Sequence, residues 1–205
     1  MSLLATQLIG FGAKRASAAA EQTVTWNPSD KASNVSLTSS DRTAGASSAG
    51  FGAVRATLSR SSGKFYWEIL LTVPSASSHS AGIGNGSFAL TNYVGTNATS
   101  VGCNQVSTTN NGYTVVNGAA FTQPNGSYLM FAIDFALGYC WVGKDNAWQN
   151  SGNPSGGTNP WVSGVSGSTF PAVSVYETAN SFTLRTKTSE ISGTVPSGFS
   201  VWAAP

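Results

Sequence analysis

Charge is what this sequence has least of. Lys, Arg, Asp and Glu together make up 9% of the 205 residues, against roughly 25% in an average soluble domain. The net charge of +2 is not gathered into a basic stripe, so the electrostatic footprint of phosphate-backbone binding is missing and nucleic acid is not an expected partner. Histidine occurs once, as His79, and cysteine twice, as Cys103 and Cys140. That set is too small and too scattered for a zinc site, and no metal or cofactor is expected. The cysteines could pair once or not at all, and free buried thiols are the expectation. No window approaches the roughly 18 uninterrupted apolar residues of a membrane span. The opening stretch lacks a basic n-region and a long apolar h-region, so it does not read as a cleaved secretory signal.

What fills the gap is small and neutral: Gly, Ser, Thr, Asn and Ala. Six Trp and ten Phe nevertheless supply enough apolar surface for a packed core, so the chain does not read as disordered. Two parts are distinguishable. Residues 1–22 form an N-terminal arm, in which Leu3, Leu4, Leu8, Ile9 and Phe11 make an apolar patch interrupted by Gly10 and Gly12. Its helical potential covers about two turns, too short to stand alone. Such an arm docks on its own domain or inserts into a neighbouring subunit, where buried Leu and Phe would offset the ordering entropy. Its five apolar residues are the candidate anchor contacts.

Residues 23–205 are patterned for strands. The central run is Lys64-Phe65-Tyr66-Trp67-Glu68-Ile69-Leu70-Leu71, opened by a small-residue turn at Ser61-Ser62-Gly63. With a period of two, Phe65, Trp67 and Ile69 share one face and Tyr66, Glu68 and Leu70 the other. Further strands are expected at 23–26, near Val35 and Leu37, and at 51–58, 81–86, 113–121, 128–135, 139–142, 171–176 and 181–186. The clusters Asn27-Pro28-Ser29-Asp30, Pro124-Asn125-Gly126 and Lys144-Asp145-Asn146 read as turns. Many short strands with turns between them and no clear helix predict an all-β, two-sheet antiparallel β-sandwich carrying an extended N-terminal arm.

Ser62-Gly63-Lys64-Phe65-Tyr66-Trp67-Glu68 resembles the opening signature of the SPRY (B30.2-like) domain. Ile83-Gly84 follows in order, then Ala132-Ile133-Asp134-Phe135, Gly138-Tyr139-Cys140-Trp141, Lys144-Asp145-Asn146-Ala147-Trp148 and Phe170-Pro171-Ala172-Val173-Ser174. Trp26-Asn27-Pro28-Ser29-Asp30, Val54-Arg55-Ala56 and Pro196-Ser197-Gly198-Phe199 resemble the flanks and ending of microbial and phage forms. The resemblance spans about residues 24–200. It departs at Ala147, where Gly is usual, and in a long polar insertion at 149–169. It implies a concanavalin-like sandwich used as a protein-interaction module and not as an enzyme, with binding in variable rim loops. A serine- and glycine-rich, low-charge chain with an apolar arm before such a domain resembles a bacteriophage virion structural protein, assembled in the host cytoplasm. Head decoration or cement proteins and tail-fibre components have this build, and such an anchor implies a homo-oligomer on capsid or tail protein.

Catalytic readings are weak throughout. Glu68 and Asp134 sit inside strands and are expected to be hydrogen-bonded sheet residues. A nucleophilic triad needs a histidine base, but His79 lies in Ser77-Ser78-His79-Ser80 with no Gly-x-Ser-x-Gly elbow anywhere. It is expected to be a solvated loop residue. Aromatics near loops, namely Tyr93, Tyr113, Trp148, Trp161 and Tyr176, could instead stack on sugar rings. The alternative function is therefore recognition of a host glycan or host surface protein through loops at 87–112 and 149–169, with Tyr93 and Trp161 as candidate contacts.

Overall fold

The computed structural model describes residues 19–72, 79–96, 99–104, 108–110, 114–115 and 122–205. The anchor candidates Leu3, Leu4, Leu8, Ile9 and Phe11 lie outside the described residues, as does Tyr113. In chain order the first strands are β1 (Trp26–Lys31), β2 (Val35–Thr38), β3 (Thr43–Ala46), β4 (Gly52–Ala56) and β5 (Lys64–Thr72). Next come β6 (Ser80–Asn85), β7 (Ser100–Cys103), β8 (Thr108–Asn110), β9 (Thr114–Val115), β10 (Tyr128–Asp134) and β11 (Tyr139–Lys144). The last are β12 (Ala147–Trp148), β13 (Val162–Ser163), β14 (Thr169–Val175), β15 (Ser181–Arg185) and β16 (Ser200–Val201). Among the described residues there is no α-helix, only single 3-10 turns at Gln149–Ser151 and Thr188–Glu190.

These strands form two sheets. One runs β1-β4-β14-β6-β7-β8, and the other runs β2-β3-β15-β5-β10-β11-β13-β9, with β12 on β11 and β16 on β5. Pairing is antiparallel except between β5 and β16, where Ser200 and Val201 run parallel to Phe65 and Tyr66. The predicted two-sheet sandwich is thus what the chain adopts, with that one parallel pair added.

The central run is β5, and its alternation decides both faces of its sheet. Trp67, Ile69 and Leu71 point between the sheets and join Leu129, Phe131, Ile133, Phe182 and Leu184 in the main core, opposite Val54, Ile83, Val101 and Val173. Trp67 stacks on Phe131, with ring centroids 5.1 Å apart and planes 11° apart, and meets the edge of Trp202 at 4.8 Å. A buried Trp removes on the order of 200 Å² from water, about 5 kcal/mol at 25 cal/mol per Å². The buried indole N–H groups of Trp26 and Trp202 donate to Phe182 O (3.0 Å) and Leu58 O (3.1 Å), which offsets their desolvation.

The opposite face of this sheet is also covered. Tyr66, Met130, Ala132 and Trp141 are buried there beneath Trp148, Ile191, Val195 and Phe199. The cover is the C-terminal strap, residues 187–205, and Glu68 fastens it. The Glu68 side chain is fully buried, and Oε1 accepts from the Tyr66 hydroxyl (2.8 Å) and Gly193 N–H (2.7 Å). Oε2 accepts from Ser192 N–H at 2.9 Å, and Arg185 Nη1 lies 3.7 Å away. Burial beside this carboxylate pushes the Tyr66 hydroxyl pKa up.

Four local expectations are corrected. The cluster Asn27-Pro28-Ser29-Asp30 is part of strand β1, not a turn after it. Edge position and the register irregularity between Trp26 and Lys31 let the proline in without costing a ladder bond. His79 is buried, 2% exposed, because it leads directly into β6. Its Nε2 lies 2.6 Å from Gln123 Oε1 and its ring 5.0 Å from that of Phe182. The polar stretch 149–169 is folded onto the body. It buries Pro154, Pro160, Trp161, Val162 and Val165, and Trp141 Nε1 donates to Thr158 O at 2.8 Å. Ala147 needs no glycine, because the positive φ values fall on Asp145 (48°) and Asn146 (66°), the two turn residues between the paired Lys144 and Ala147.

Candidate interaction surface at the sandwich rim

Three loops meet at the end of the six-stranded sheet where β4 begins and β14 ends. Gly50, at φ 133°, turns the chain so that its N–H donates to Tyr176 O (3.3 Å), while Asn34 Nδ2 donates to Gly50 O (2.7 Å). A side chain would rarely adopt that φ. The turn presents Phe51, which is 42% exposed. Its ring centroid lies 5.1 Å from that of Tyr93 and 4.8 Å from that of Tyr176, tilted by 54° and 57°. Phe51 follows β3, Tyr93 follows β6, and Tyr176 follows β14, so the cluster exists only in the folded chain.

Hydrogen bonds beneath the three rings make this a fixed surface. Thr96 Oγ1 donates to Tyr93 O at 2.5 Å. One residue on, Val94 is fully buried, its N–H donating to Ser174 Oγ at 3.3 Å and its carbonyl accepting from Ser80 Oγ at 3.0 Å. Arg55 ties down the adjoining segment. Its Nε and Nη2 donate to Asp30 Oδ2 and Oδ1, both at 2.6 Å, and Nη1 donates to Asn85 O (2.8 Å) and Phe88 O (3.0 Å). Around the rings, Ser48, Ala49, Thr91, Asn92 and Thr178 are exposed. The result is a braced aromatic patch bordered by small polar residues, with the half-buried Glu177 beside Tyr176.

Several groups with catalytic potential are engaged in the structure. Asp134 is 1% exposed, its Oδ1 accepting from Ala136 N–H (2.9 Å) and Leu137 N–H (3.2 Å) while Lys64 Nζ lies 2.8 Å from Oδ2. Burial lowers the His79 pKa, partly opposed by its bond to Gln123 and by Glu177. Burial pushes the Cys103 thiol up to about 12 and the Cys140 thiol up as well, and both are free, as expected of inert core cysteines. Among the described residues no three His, Cys, Asp or Glu side chains come together in a metal-binding group.

Of the two candidate loop contacts, Tyr93 is at the rim. Trp161 is not: it is 2% exposed and packs 6.3 Å from Phe131 in the core, so it is not presented to a ligand. Phe51 was not anticipated. Its place in an apparently alternating run from 51 to 58 marked it as a strand residue, and only the glycine before it hinted at a turn.

No protein-family model and no curated protein matches this chain. Solved structures do. The chain is similar to the SPRY domain of human HERC1, with a TM-score of 0.61 and 15% identity over 78% of this chain and 96% of that one. It is also similar to the TRIM65 PSpry domain, with a TM-score of 0.56 and 16% identity over 81% and 93%. The fold is therefore SPRY-like, the architecture that the Gly63-Lys64-Phe65-Tyr66-Trp67-Glu68 run resembles.

Proposed function

We propose that this chain is a non-enzymatic structural protein of a bacteriophage virion. Residues 1–22 attach it to capsid or tail protein, and the SPRY-like sandwich is displayed on the particle as a head decoration, cement or tail-fibre component. The observation that carries the display half is the rim: an exposed Phe51 braced by Tyr93 and Tyr176 on a body whose buried carboxylates are already engaged. Strand register supports a two-ended arrangement. Trp26 pairs with Ala56 at one end of β4, whereas Phe51 abuts Gly52 at the other. Glu21 and Gln22 are pinned beside the chain's C-terminal end, with Gln22 N–H donating to Ala203 O at 2.7 Å and Thr188 N–H to Glu21 Oε1 at 3.1 Å. Gln22 and Phe51 thus lie towards opposite ends of β4, which supports attachment at one end and display at the other.

Deleting residues 2–20 tests the attachment. The truncated protein is expected to keep its β-sheet circular dichroism and to be missing from purified particles. If it still occupied particles, the anchor reading would be wrong. Copy number in intact particles then separates head from tail, with hundreds marking decoration and a few dozen or fewer a tail component.

A second reading is favoured by the aromatic patch itself: recognition of a host glycan or host surface protein. It expects saturable binding to host cells, lost in Tyr93→Ala and Phe51→Ala. A particle protein can do both.

A further inference from the structure

Away from the rim, on the outer face of the ten-stranded sheet, the C-terminal strap and the segment after β12 enclose a recess of about 280 Å³. Trp148, Pro196, Asn153, Ser155, Thr194 and Ser197 are among the residues that line it. No charged side chain lines it. The geometry points to this recess as a binding site for one neutral sugar ring, resting on the recognition reading above.

Ligand pockets commonly hold about 300–1,000 Å³, so this one falls just below that range and suits nothing larger than a single ring. The wall is fixed in place: Trp148 pairs with Gly143 in the β11–β12 hairpin, and its ring meets that of Tyr66 edge to face at 6.3 Å. A pyranose offers C–H groups on one face, which an indole covers well, and hydroxyls around its edge. The edge of the recess is supplied to match. Asn153 Oδ1 already accepts Gly156 N–H at 3.0 Å, leaving its amide nitrogen as a donor. Asn146 Oδ1 accepts Thr194 N–H at 2.9 Å, which holds the strap and leaves the Thr194 hydroxyl for a ligand. Ser155 and Ser197 are exposed and add two more hydroxyls. Absence of a lining cation sets the selectivity. An anionic sugar would lose carboxylate hydration with no Lys or Arg to replace it.

The test uses the full-length chain and saturation-transfer NMR with titration. The probes are the methyl glycosides of glucose, galactose, mannose and N-acetylglucosamine, with N-acetylneuraminic acid and a neutral proline-rich peptide as contrasts. At least one neutral glycoside is expected to bind with a Kd on the order of 1 mM, typical of one small ring. Ser197→Trp, a filling change at an exposed position, and Trp148→Ala should each weaken it about tenfold or more. Ser29→Ala, an exposed change on the edge strand of the other sheet, should leave it unchanged. The inference is overturned if no neutral glycoside binds up to about 50 mM, if the acidic sugar or the peptide binds instead, or if Ser197→Trp has no effect. Glycoside binding lost in Tyr93→Ala but kept in Ser197→Trp would sink the recess and leave recognition at the rim. Cell binding lost in Phe51→Ala with no glycoside binding anywhere would sink the recess and identify a protein ligand. Neither cell nor glycoside binding would end the recognition reading as well.

Discussion

Glu68 holds Gly193. The carboxylate of the central strand accepts the main-chain N–H of the strap at 2.7 Å, and its second oxygen accepts that of Ser192 at 2.9 Å. The acidic residue in the most recognisable stretch of the sequence is thus a clasp between the sheet and the chain's last segment. Glu68→Ala is expected to cost about 2–4 kcal/mol, because two part-buried main-chain N–H groups and the buried Tyr66 hydroxyl lose their acceptor together. Urea denaturation checks the magnitude. Limited proteolysis should show new cleavage between Thr188 and Ser200.

The rim ought to respond in the opposite manner. Phe51→Ala removes an exposed ring that bridges two tyrosines without filling the core, so stability should change by less than about 1 kcal/mol. Binding to host cells should fall sharply. A melting curve matched to the wild type, measured beside the binding assay, separates this outcome from unfolding.

His79 makes stability depend on pH. Its folded pKa is lowered from 6.5, chiefly by burial, so the unfolded chain binds the proton more readily than the folded one. Stability is therefore full above the unfolded pKa and falls as pH drops from about 6.5 towards the lower folded value. Denaturation midpoints at pH 8, 6.5 and 5.5 should decline in that order, and His79→Gln should flatten the decline. A flat profile for the unaltered protein would contradict the buried environment.

The two thiols should be silent. Burial raises both pKa values, Cys103 to about 12, so almost no thiolate exists at neutral pH. A disulfide-exchange reagent is expected to label neither Cys103 nor Cys140 in the native protein and both in denaturant. Rapid labelling of either without denaturant would mean the core opens far more easily than its packing implies.

Much of the scaffold was legible because period-two alternation is physical information. In β5 the same residues that alternate in sequence alternate between the core and the strap. Asp134 and Glu68 were readable as structural because a carboxylate within a sheet run needs donors, and the folded chain supplies them. Other features depended on distance. Nothing near His79 in sequence indicates that Gln123 and Phe182 will enclose it. Trp161 sits among Asn, Ser, Gly and Pro, so its neighbourhood looked exposed, yet the aromatic ring itself was the stronger signal for burial. The rim cluster was half legible: Tyr93 and Tyr176 were recognisable as loop aromatics, but their meeting across Phe51 is a product of topology.

The parallel pairing of β16 with β5 has a temporal meaning. Phe65 and Tyr66 gain one set of neighbours from Ser200 and Val201, almost at the end of the chain. While the protein is being synthesised, that part of the middle strand must wait with an open edge, next to the large aromatics most prone to non-native association. Synthesis of residues 200 and 201, and not emergence of the signature strand, is then the step that allows this edge to be closed. Products that stop before residue 200 should accumulate as aggregates, although every residue of the central strand is present in them.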